Sequence, residues 1–460
     1  MERLECSIID CARVIQEPFR FDAEYYSKRN IQLEDLIKST SGKTIDELNG
    51  VADCSAFYPS ITGDYSYDKS LVPFIRVNEI QNGLVILTDE TVYLPQKVLD
   101  DNANTISKAY PGDVVIAKGG NTLAKVGLVT DEYPVYATCR DVIILRTEGI
   151  KEINRYYLWA FLHSRYGYSL MWRSASQTGQ PHITLPIISN MHIPLLEKKV
   201  QEKAKKLYQE SVEKQKESID KFAEAEEVLH NVMKVVDTQS ICELPVISTL
   251  SEVLNYGRID AEYHQIKYKK IKESIEKKEY FNLTDENIID QNYYPEKDTV
   301  CRYIELSNVG YKGVVTGCTE ANGQDLPSRA RRKVKTGDII ISSIEGSLDK
   351  CALIDENYNE AYCSNGFYVI RTEKLTPEVL LVVMKSSEIQ HLLKKACSGT
   401  ILAAYSKDEL KLIPLPTIDE ITQNIMTKLV RESIMLYKQS VDLLEQTKKL
   451  IEEKMNSMTK

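Results

Sequence analysis

The chain has 460 residues, 43% of them hydrophobic and 27% charged, which is ordinary for a globular protein and enough for two or three domains. Its net charge of −9 argues mildly against a nucleic-acid partner, although a basic face can coexist with acidic helices elsewhere. The ten cysteines form no Cys-x-x-Cys pair, no charged-then-apolar leader opens the chain, and no apolar run approaches the ~20 residues of a membrane span. We therefore expect a cytoplasmic protein with reduced thiols.

The sequence contains an internal repeat, because several motifs recur in the same order. Arg-Phe-Asp-Ala-Glu-Tyr-Tyr-Ser at 20–27 is echoed by Arg-Ile-Asp-Ala-Glu-Tyr-His-Gln at 258–265, Gly-Asp-Val-Val-Ile at 112–116 by Gly-Asp-Ile-Ile-Ile at 337–341, Arg-Thr-Glu at 146–148 by the same residues at 371–373, and Ile-Pro-Leu at 193–195 by 413–415. The separation is domain-sized, whereas solenoid repeats recur every ~20–50 residues. The pattern predicts a duplicated domain.

Each copy opens with a strand-rich part, in which short β-branched runs are punctuated by glycines and charged residues. The predicted strands span 112–118, 126–130 and 136–146 in the first copy and 337–343, 351–355 and 366–371 in the second. A predicted helix follows in each copy, at 154–173 and 377–397, and then a polar loop containing glycine, at 174–184 and 398–404.

After each Ile-Pro-Leu motif, apolar residues recur at alternating steps of four and three, the heptad pattern of helices wound around each other. The predicted seam includes Val212, Ile219, Phe222 and Leu229 in the first copy and Ile434, Tyr437, Val441, Leu444 and Ile451 in the second. Roughly 40 residues at ~1.5 Å each make a helix of about 60 Å. We expect the two helices to pair as an antiparallel coiled coil with pseudo-twofold symmetry.

The predicted fold class is therefore mixed α/β (α+β), with two similar globular domains that are each followed by a long helix. The expected boundaries are 1–192 for the first domain, 193–238 for its helix, 239–412 for the second domain and 413–460 for its helix.

Catalytic motifs are missing from the sequence. It has no Gly-x-x-x-x-Gly-Lys-Ser/Thr loop, no Gly-x-Gly-x-x-Gly, no His-x-x-x-His and no Asn-Pro-Pro-aromatic or Asp-Pro-Pro-Tyr motif of the kind that methylates a base amino group. The paired carboxylates Asp22/Glu24 and Asp260/Glu262 lie beside tyrosines, and a structural hydrogen-bond or capping cluster explains them better than a metal or acid–base site. We expect a binding protein without catalytic or metal-ligating residues.

Basic and amide side chains in loops are the groups that hold phosphates or read base edges. The candidate DNA-binding residues are Lys118, Asn121, Lys125, Arg173, Gln177 and Gln180 in the first copy and Arg329, Arg331, Arg332, Lys350 and Lys395 in the second. Five basic residues within the segment 329–335 stand out in an acidic chain. A solvated surface remains the alternative for any single loop.

The repeated motifs, the glycine-containing loops and the two heptad segments resemble the specificity subunits of type I restriction-modification systems, and the resemblance covers essentially the whole chain. It implies two target recognition domains that each read one half of a split, asymmetric site in double-stranded DNA, and a coiled coil that sets the spacer. It also implies two methyltransferase subunits that bring S-adenosylmethionine, restriction-translocase subunits that bring ATP and magnesium, and no cofactor or catalysis on this chain.

The sequence departs from the family at the junction, where a Pro-rich segment is usually followed by Glu-Gln. Here Gln201 comes late after Ile193-Pro194-Leu195, and Gln423 follows Glu420. Two other readings stay open: a coiled-coil adaptor whose domains bind proteins without reading DNA, and a nuclease or methyltransferase of an unrecognised type. The recognition sequence, the spacer length and the coiled-coil register are not encoded in any motif.

Overall fold

The structure is a computed structural model that describes residues 7–16, 22–88, 91–175, 181–234, 247–399 and 403–458. The chain divides into two compact units. Unit 1 contains the residues up to Lys214 together with those from Lys438 onward, and unit 2 contains Gln215–Tyr437. The compact units therefore do not follow the linear order of the chain, since each contains part of both long helices.

Unit 1 is built on two sheets whose strands alternate with short helices. Its helices are α1 (Cys11–Gln16), α2 (Lys28–Ser39), α3 (Gln96–Asp101), α4 (Arg155–His163), α5 (Arg165–Ser174) and α6 (Leu185–Ser189), followed by the long α7 (Lys198–Met233), which continues into unit 2. Its strands are β1 (Lys43–Thr44), β2 (Val51–Cys54), β3 (Val72–Ile75), β4 (Ile80–Gln81), β5 (Leu84–Val85), β6 (Tyr93–Leu94), β7 (Lys108–Ala109), β8 (Val114–Ala117), β9 (Val126–Leu128), β10 (Tyr136–Thr138), β11 (Val142–Arg146) and β12 (His192–Ile193). One sheet has the order β2-β11-β8-β9-β5-β4 and the other β6-β3-β10-β7, and β1 pairs with β12.

Unit 2 repeats this plan with fewer strands. Its helices are α8 (Leu250–Tyr256), α9 (Ile266–Glu276), α10 (Pro377–Lys385), α11 (Ser387–Ala396) and α12 (Lys407–Lys411), followed by the long α13 (Glu420–Met458), which continues into unit 1. Its strands are β13 (Tyr280–Phe281), β14 (Ile288–Ile289), β15 (Val300–Ile304), β16 (Thr319–Asn322), β17 (Ala330–Lys333), β18 (Ile339–Ser342), β19 (Cys351–Leu353), β20 (Tyr362–Ser364), β21 (Phe367–Ile370) and β22 (Leu415–Pro416). The sheets have the orders β14-β21-β18-β19 and β16-β15-β20-β17.

The two units share an unusual strand pairing, since β10 pairs in parallel with β3 and, likewise, β20 pairs in parallel with β15. The strands β8 and β18 are buried along their whole length, which suits their β-branched sequences. The predicted mixed α/β class with two sheet-rich domains and a long C-terminal helix is confirmed.

The motifs of the repeat are joined by ion pairs inside each unit. The Arg146 guanidinium lies 3.6 Å from the buried carboxylate of Asp113. In unit 2, Arg371 Nε donates to Asp338 Oδ1 at 2.7 Å, and Asp338 is also buried. The Gly-Asp and Arg-Thr-Glu motifs therefore recur together because each supplies one partner of the same contact.

The aspartates of the two Asp-Ala-Glu motifs act structurally. Asp22 Oδ1 accepts the backbone N–H of Tyr25 at 3.1 Å, and Asp260 Oδ1 accepts that of Tyr263 at 3.0 Å. The guanidinium of Arg258 donates two hydrogen bonds to Asp260. The described geometry thus matches the capping role expected from the sequence.

A glutamine holds the beginning of each long helix against the domain. Gln201 Oε1 accepts the backbone N–H of Asn154 at 3.0 Å, and Gln423 Oε1 accepts that of Thr376 at 2.9 Å. The Nε2 group of each glutamine also donates to the carbonyl five residues before it, at 2.8 Å and 2.9 Å. The glutamines that depart from the family junction in sequence therefore make the same two contacts in both units.

In α7, the buried stripe keeps Phe222 and Leu229 of the predicted seam but is displaced by one residue at the alternate positions. Phe222 and Leu229 are buried, but Ile219 is 37% exposed and Val212 is only partly buried. The sequence pattern favoured Ile219 because it is large and apolar, whereas the structure buries the smaller Ser218 just before it.

In α13, the same shift occurs. Tyr437, Leu444 and Ile451 are buried, while Ile434 and Val441 are only partly buried. Both helices thus alternate large apolar side chains with small residues at the buried positions.

Four of these small residues are serines that link the helices by hydrogen bonds. Ser211 Oγ donates to the backbone oxygen of Ser440 at 2.9 Å inside unit 1. Inside unit 2, Ser218 Oγ donates to the backbone oxygen of Ser433 and Ser433 Oγ to that of Ser218, both at 2.8 Å. All four serines are buried. A hydroxyl can reach the opposite backbone only where the helices lie close, and this explains why small residues occupy these positions.

Candidate functional site

The basic loop after β8 lies where the sequence placed it, on the surface of unit 1. The backbone N–H of Lys118 donates to Asp141 O at 2.9 Å, which fixes the loop to the β10–β11 connection. A single 3₁₀ turn at Gly120–Thr122 then presents Asn121 and Lys125, both of which are exposed. These side chains are available to a ligand that approaches unit 1 from this side.

A shallow cleft of about 480 Å³ opens beside this loop. It is lined by Cys54, Ser55, Ala56, Phe57, Lys118, Arg140, Asp141 and His182. The lining combines three basic side chains, one carboxylate and one exposed aromatic ring. Sequence reasoning selected only Lys118 among them for DNA contact, because the others come from chain segments far apart in sequence.

In unit 2, the basic cluster lies on and beside the edge strand β17. Arg329 is exposed, and its backbone oxygen accepts the N–H of Asn365 at 2.8 Å. The guanidinium of Arg331 stacks on the ring of Tyr294, 4.4 Å from its centroid. Arg332 instead donates to Asn292 Oδ1 at 2.9 Å, so part of its donor capacity serves the fold. Arg329 and Arg331 are the stronger candidates for ligand contact.

Lys125 and Lys350 occupy equivalent places in the two units. Each follows a 3₁₀ turn, and each donates its backbone N–H to the carbonyl three residues earlier, at 3.0 Å in both cases. The carbonyls of both lysines accept a backbone N–H from the end of the preceding strand, from Ala117 at 2.8 Å and from Ser342 at 3.0 Å. Each unit therefore presents a lysine at a point with the same backbone contacts.

Arg173 and Lys395 were expected to contact DNA, and in the structure both make contacts inside their own units. Arg173 is buried, pairs with Glu34 at 2.7 Å and stacks 4.1 Å from the ring centroid of Tyr25. Lys395 lies over the equivalent ring of Tyr263, at 4.4 Å, and its burial lowers the pKa of its ammonium group. Both cations serve the packing of a helix end on the Asp-Ala-Glu-Tyr motif.

Two further candidates, Gln177 and Gln180, lie outside the described residues. Within the described part of the chain, no group of three or more His, Cys, Asp or Glu side chains could hold a metal ion. The same residues include no helix with the length and apolar character needed to span a bilayer.

No protein-family model matches the chain, and no curated protein matches it. Several solved structures are similar. The S subunit of the type I restriction-modification system from M. genitalium is 12% identical, with 91% of this chain and 94% of that chain covered and a TM-score of 0.33. The HsdS subunit from Thermoanaerobacter tengcongensis is 12% identical, with coverages of 88% and 96% and a TM-score of 0.26. A chain from a structure of the type I R-M system, described for its complex assembly and conformational transition, is 14% identical, with coverages of 89% and 97% and a TM-score of 0.27.

Proposed function

We propose that this chain is the DNA sequence-recognition subunit of a type I restriction-modification complex. Each sheet-rich domain reads one half of a split, asymmetric site, and the long helices set the spacer between the halves. The chain itself carries out no catalysis. Methyltransferase subunits supply S-adenosylmethionine chemistry, and restriction-translocase subunits supply ATP- and magnesium-dependent chemistry.

The observation that carries this proposal is a shared frame with different side chains at equivalent surface positions. In unit 1 the N–H of Lys118 donates to Asp141 O, and in unit 2 the N–H of Ser343 donates to Gly366 O, each at 2.9 Å. The same backbone contact thus brings together Lys118 and Asp141 in unit 1, but Ser343 and Gly366 in unit 2. A protein that reads two different half-sites requires this combination, since base readout depends on the donors and acceptors at each position.

The serine pairs support an antiparallel coiled coil with pseudo-twofold symmetry. Ser211 contacts Ser440, whereas Ser218, which lies further along α7, contacts Ser433, which lies earlier in α13. The order of contacts is therefore reversed between the helices. An antiparallel pair of helices gives a fixed length, and a fixed length determines a fixed spacer.

The proposed contacts to DNA come from Lys118, Asn121 and Lys125 in unit 1 and from Arg329, Arg331 and Lys350 in unit 2. Arg173 and Lys395 are left out because they pack inside their units, and Arg332 is given a secondary part. Arginine and lysine bind guanine O6 and N7 or phosphates, and asparagine binds adenine. Each good bidentate base contact discriminates by about 1–3 kcal/mol. The acidic net charge is compatible with this interface when partner subunits provide further phosphate contacts.

Binding of the full chain to random-sequence duplex across a salt series tests the proposal. We expect affinity to fall steeply with salt, because bound phosphates release counterions. Arg329→Gln and Arg331→Gln should each lower the slope of log affinity against log salt by about 0.9 for every phosphate that the variant no longer neutralises. Lys428→Gln on α13, where Lys428 is mostly exposed, is the charge-matched control and should leave the slope unchanged.

A flat salt response of the unaltered chain would contradict DNA recognition and favour the alternative, a coiled-coil adaptor that binds proteins. Cleavage or methyl transfer by the purified chain with DNA, magnesium and S-adenosylmethionine would contradict the non-catalytic assignment. Methylome sequencing of a host that expresses the chain with its methyltransferase would then give both half-sites and the spacer.

A further inference from the structure

Phe57 is an exposed aromatic residue on a firmly held loop. Its side chain is 77% exposed, although it lies at the wall of the unit 1 cleft. Two contacts just before it fix the backbone: Ser55 Oγ donates to Thr138 O at 2.7 Å, and the N–H of Ala56 donates to Thr105 O at 2.8 Å. The ring is thus presented to solvent on a well-held backbone and is accessible to a partner.

Unit 2 presents an aromatic ring at nearly the same point of the fold. Tyr294 is 76% exposed and follows β14, just as Phe57 follows β2. Ala52 of β2 pairs with Leu145 of β11, and Ile288 of β14 pairs with Ile370, the equivalent residue of β21. Counted from these two pairs, the positions of Phe57 and Tyr294 differ by one residue. The loop of Tyr294 is also fixed to the sheet, since the adjacent Tyr293 donates its N–H to Arg331 O at 2.8 Å.

Both rings have cations nearby that suit phosphates. Lys118 and Arg140 line the cleft that Phe57 borders, together with Asp141 and His182. The guanidinium of Arg331 lies on the ring of Tyr294. An apolar protein partner would leave these charges desolvated, whereas nucleic acid offers the flat face of a base to the ring and phosphates to the cations. The volume of the cleft also accommodates a nucleobase.

We propose that Phe57 and Tyr294 stack on nucleobases, one in each half of the bound site, by inserting at a base step that opens on binding. Architectural DNA-binding proteins use apolar side chains in this way to unstack and bend a duplex. The inference rests on the proposed function but goes beyond it, because reading base edges in a groove requires no unstacking. It adds an energetic preference for sequences that unstack easily.

The test measures affinity of the full chain for two probes, an intact random-sequence duplex and the same duplex with a central run of mismatched pairs. Unpaired bases cost less to unstack, so the unaltered chain should prefer the mismatched probe. Phe57→Ala and Tyr294→Ala should each reduce affinity for the mismatched probe by about 5- to 150-fold, the range typical for removal of a base–aromatic stack. Phe57→Trp should keep the preference, and its fluorescence should be quenched by the probe.

Tyr67→Ala is the matched control, because Tyr67 is 68% exposed but does not line the cleft. It should bind both probes like the unaltered chain. Equal affinities of the unaltered chain for the two probes, or alanine variants that keep the preference, would overturn the stacking role while leaving salt-dependent duplex binding in place. Failure of the unaltered chain to bind either probe would overturn the proposed function as well.

Discussion

The position of the buried stripe makes two adjacent residues of α7 differ strongly in the stability lost on the same substitution. Ser218 is 5% exposed and exchanges hydrogen bonds with Ser433 across the seam, whereas Ile219 is 37% exposed. We expect Ser218→Gln to destabilise unit 2 severely and Ile219→Gln to destabilise it only slightly. The heptad pattern of the sequence alone predicts the reverse order.

The magnitude follows from the interactions that each change removes. Ser218→Gln removes a hydrogen bond of about 1 kcal/mol and forces a larger side chain into the closest approach of the helices, which costs about 1–3 kcal/mol more. Ile219→Gln removes part of an apolar side chain, but the glutamine stem still covers the surface and its amide reaches water, so the cost is below about 1 kcal/mol.

Urea unfolding followed by helical circular dichroism measures both changes, as the shift in the midpoint multiplied by the slope of the transition. Ser218→Ala serves as a control that removes the hydrogen bond without adding volume and should cost about 1 kcal/mol. A larger loss of stability for Ile219→Gln than for Ser218→Gln would refute the serine seam and reinstate the register deduced from the sequence.

Two further changes test contacts inside the units by the same unfolding assay. Gln201→Leu should cost about 1–3 kcal/mol, because it leaves a part-buried backbone N–H and a buried carbonyl unpaired. Gln423→Leu should cost less, because Gln423 is partly exposed to water, and equal costs would contradict this difference in burial. Burial, reinforced by the nearby Lys448, lowers the pKa of His163 to about 4. The unfolded chain therefore binds a proton that the folded chain refuses between about pH 6.5 and pH 4, so stability should fall by up to about 3 kcal/mol as the pH drops through this window, and His163→Gln should abolish that component. A pH profile unchanged by the substitution would exclude His163 as its source.

The repeat was visible in the sequence because its motifs are framework residues with narrow requirements. Gly112 and Gly337 both have φ of +89°, a left-handed conformation that favours glycine. The aspartates that follow them are buried and pair with the arginines of the Arg-Thr-Glu motifs. Such positions tolerate few alternatives, and so two diverged copies still show them. The mixed α/β fold class with two sheet-rich domains could therefore be predicted from the sequence.

The seam and the site were harder to predict, for two different physical reasons. Serine is a polar residue, so a pattern based on apolar residues does not include Ser218. Ser218 can nevertheless be buried, because its hydroxyl donates a hydrogen bond to a backbone carbonyl. The site combines segments distant in sequence, and no local pattern shows that Arg140 and His182 join Lys118 at one cleft. The sequence also gives no sign that Arg173, a charged residue near a loop, pairs with Glu34 inside the unit.

The frame and the surface are separable in this fold, and this separation would let one scaffold carry the two recognition tasks proposed above. Contacts that hold each unit together use backbone groups or buried side chains, as with the N–H groups of Lys118 and Ser343, which donate to equivalent carbonyls whatever side chain they carry. Substitutions at such surface positions change what a ligand meets without removing a contact of the frame, so their cost in stability is small. Divergence is therefore expected to concentrate at the cleft rim and the basic edge strand, where Phe57 and Tyr294, one position apart in register, nevertheless give both units an exposed aromatic ring. A feature that both units have on a surface otherwise free to change indicates a task that both units share. Base stacking would be such a shared task, whereas base-specific readout would differ between the two units.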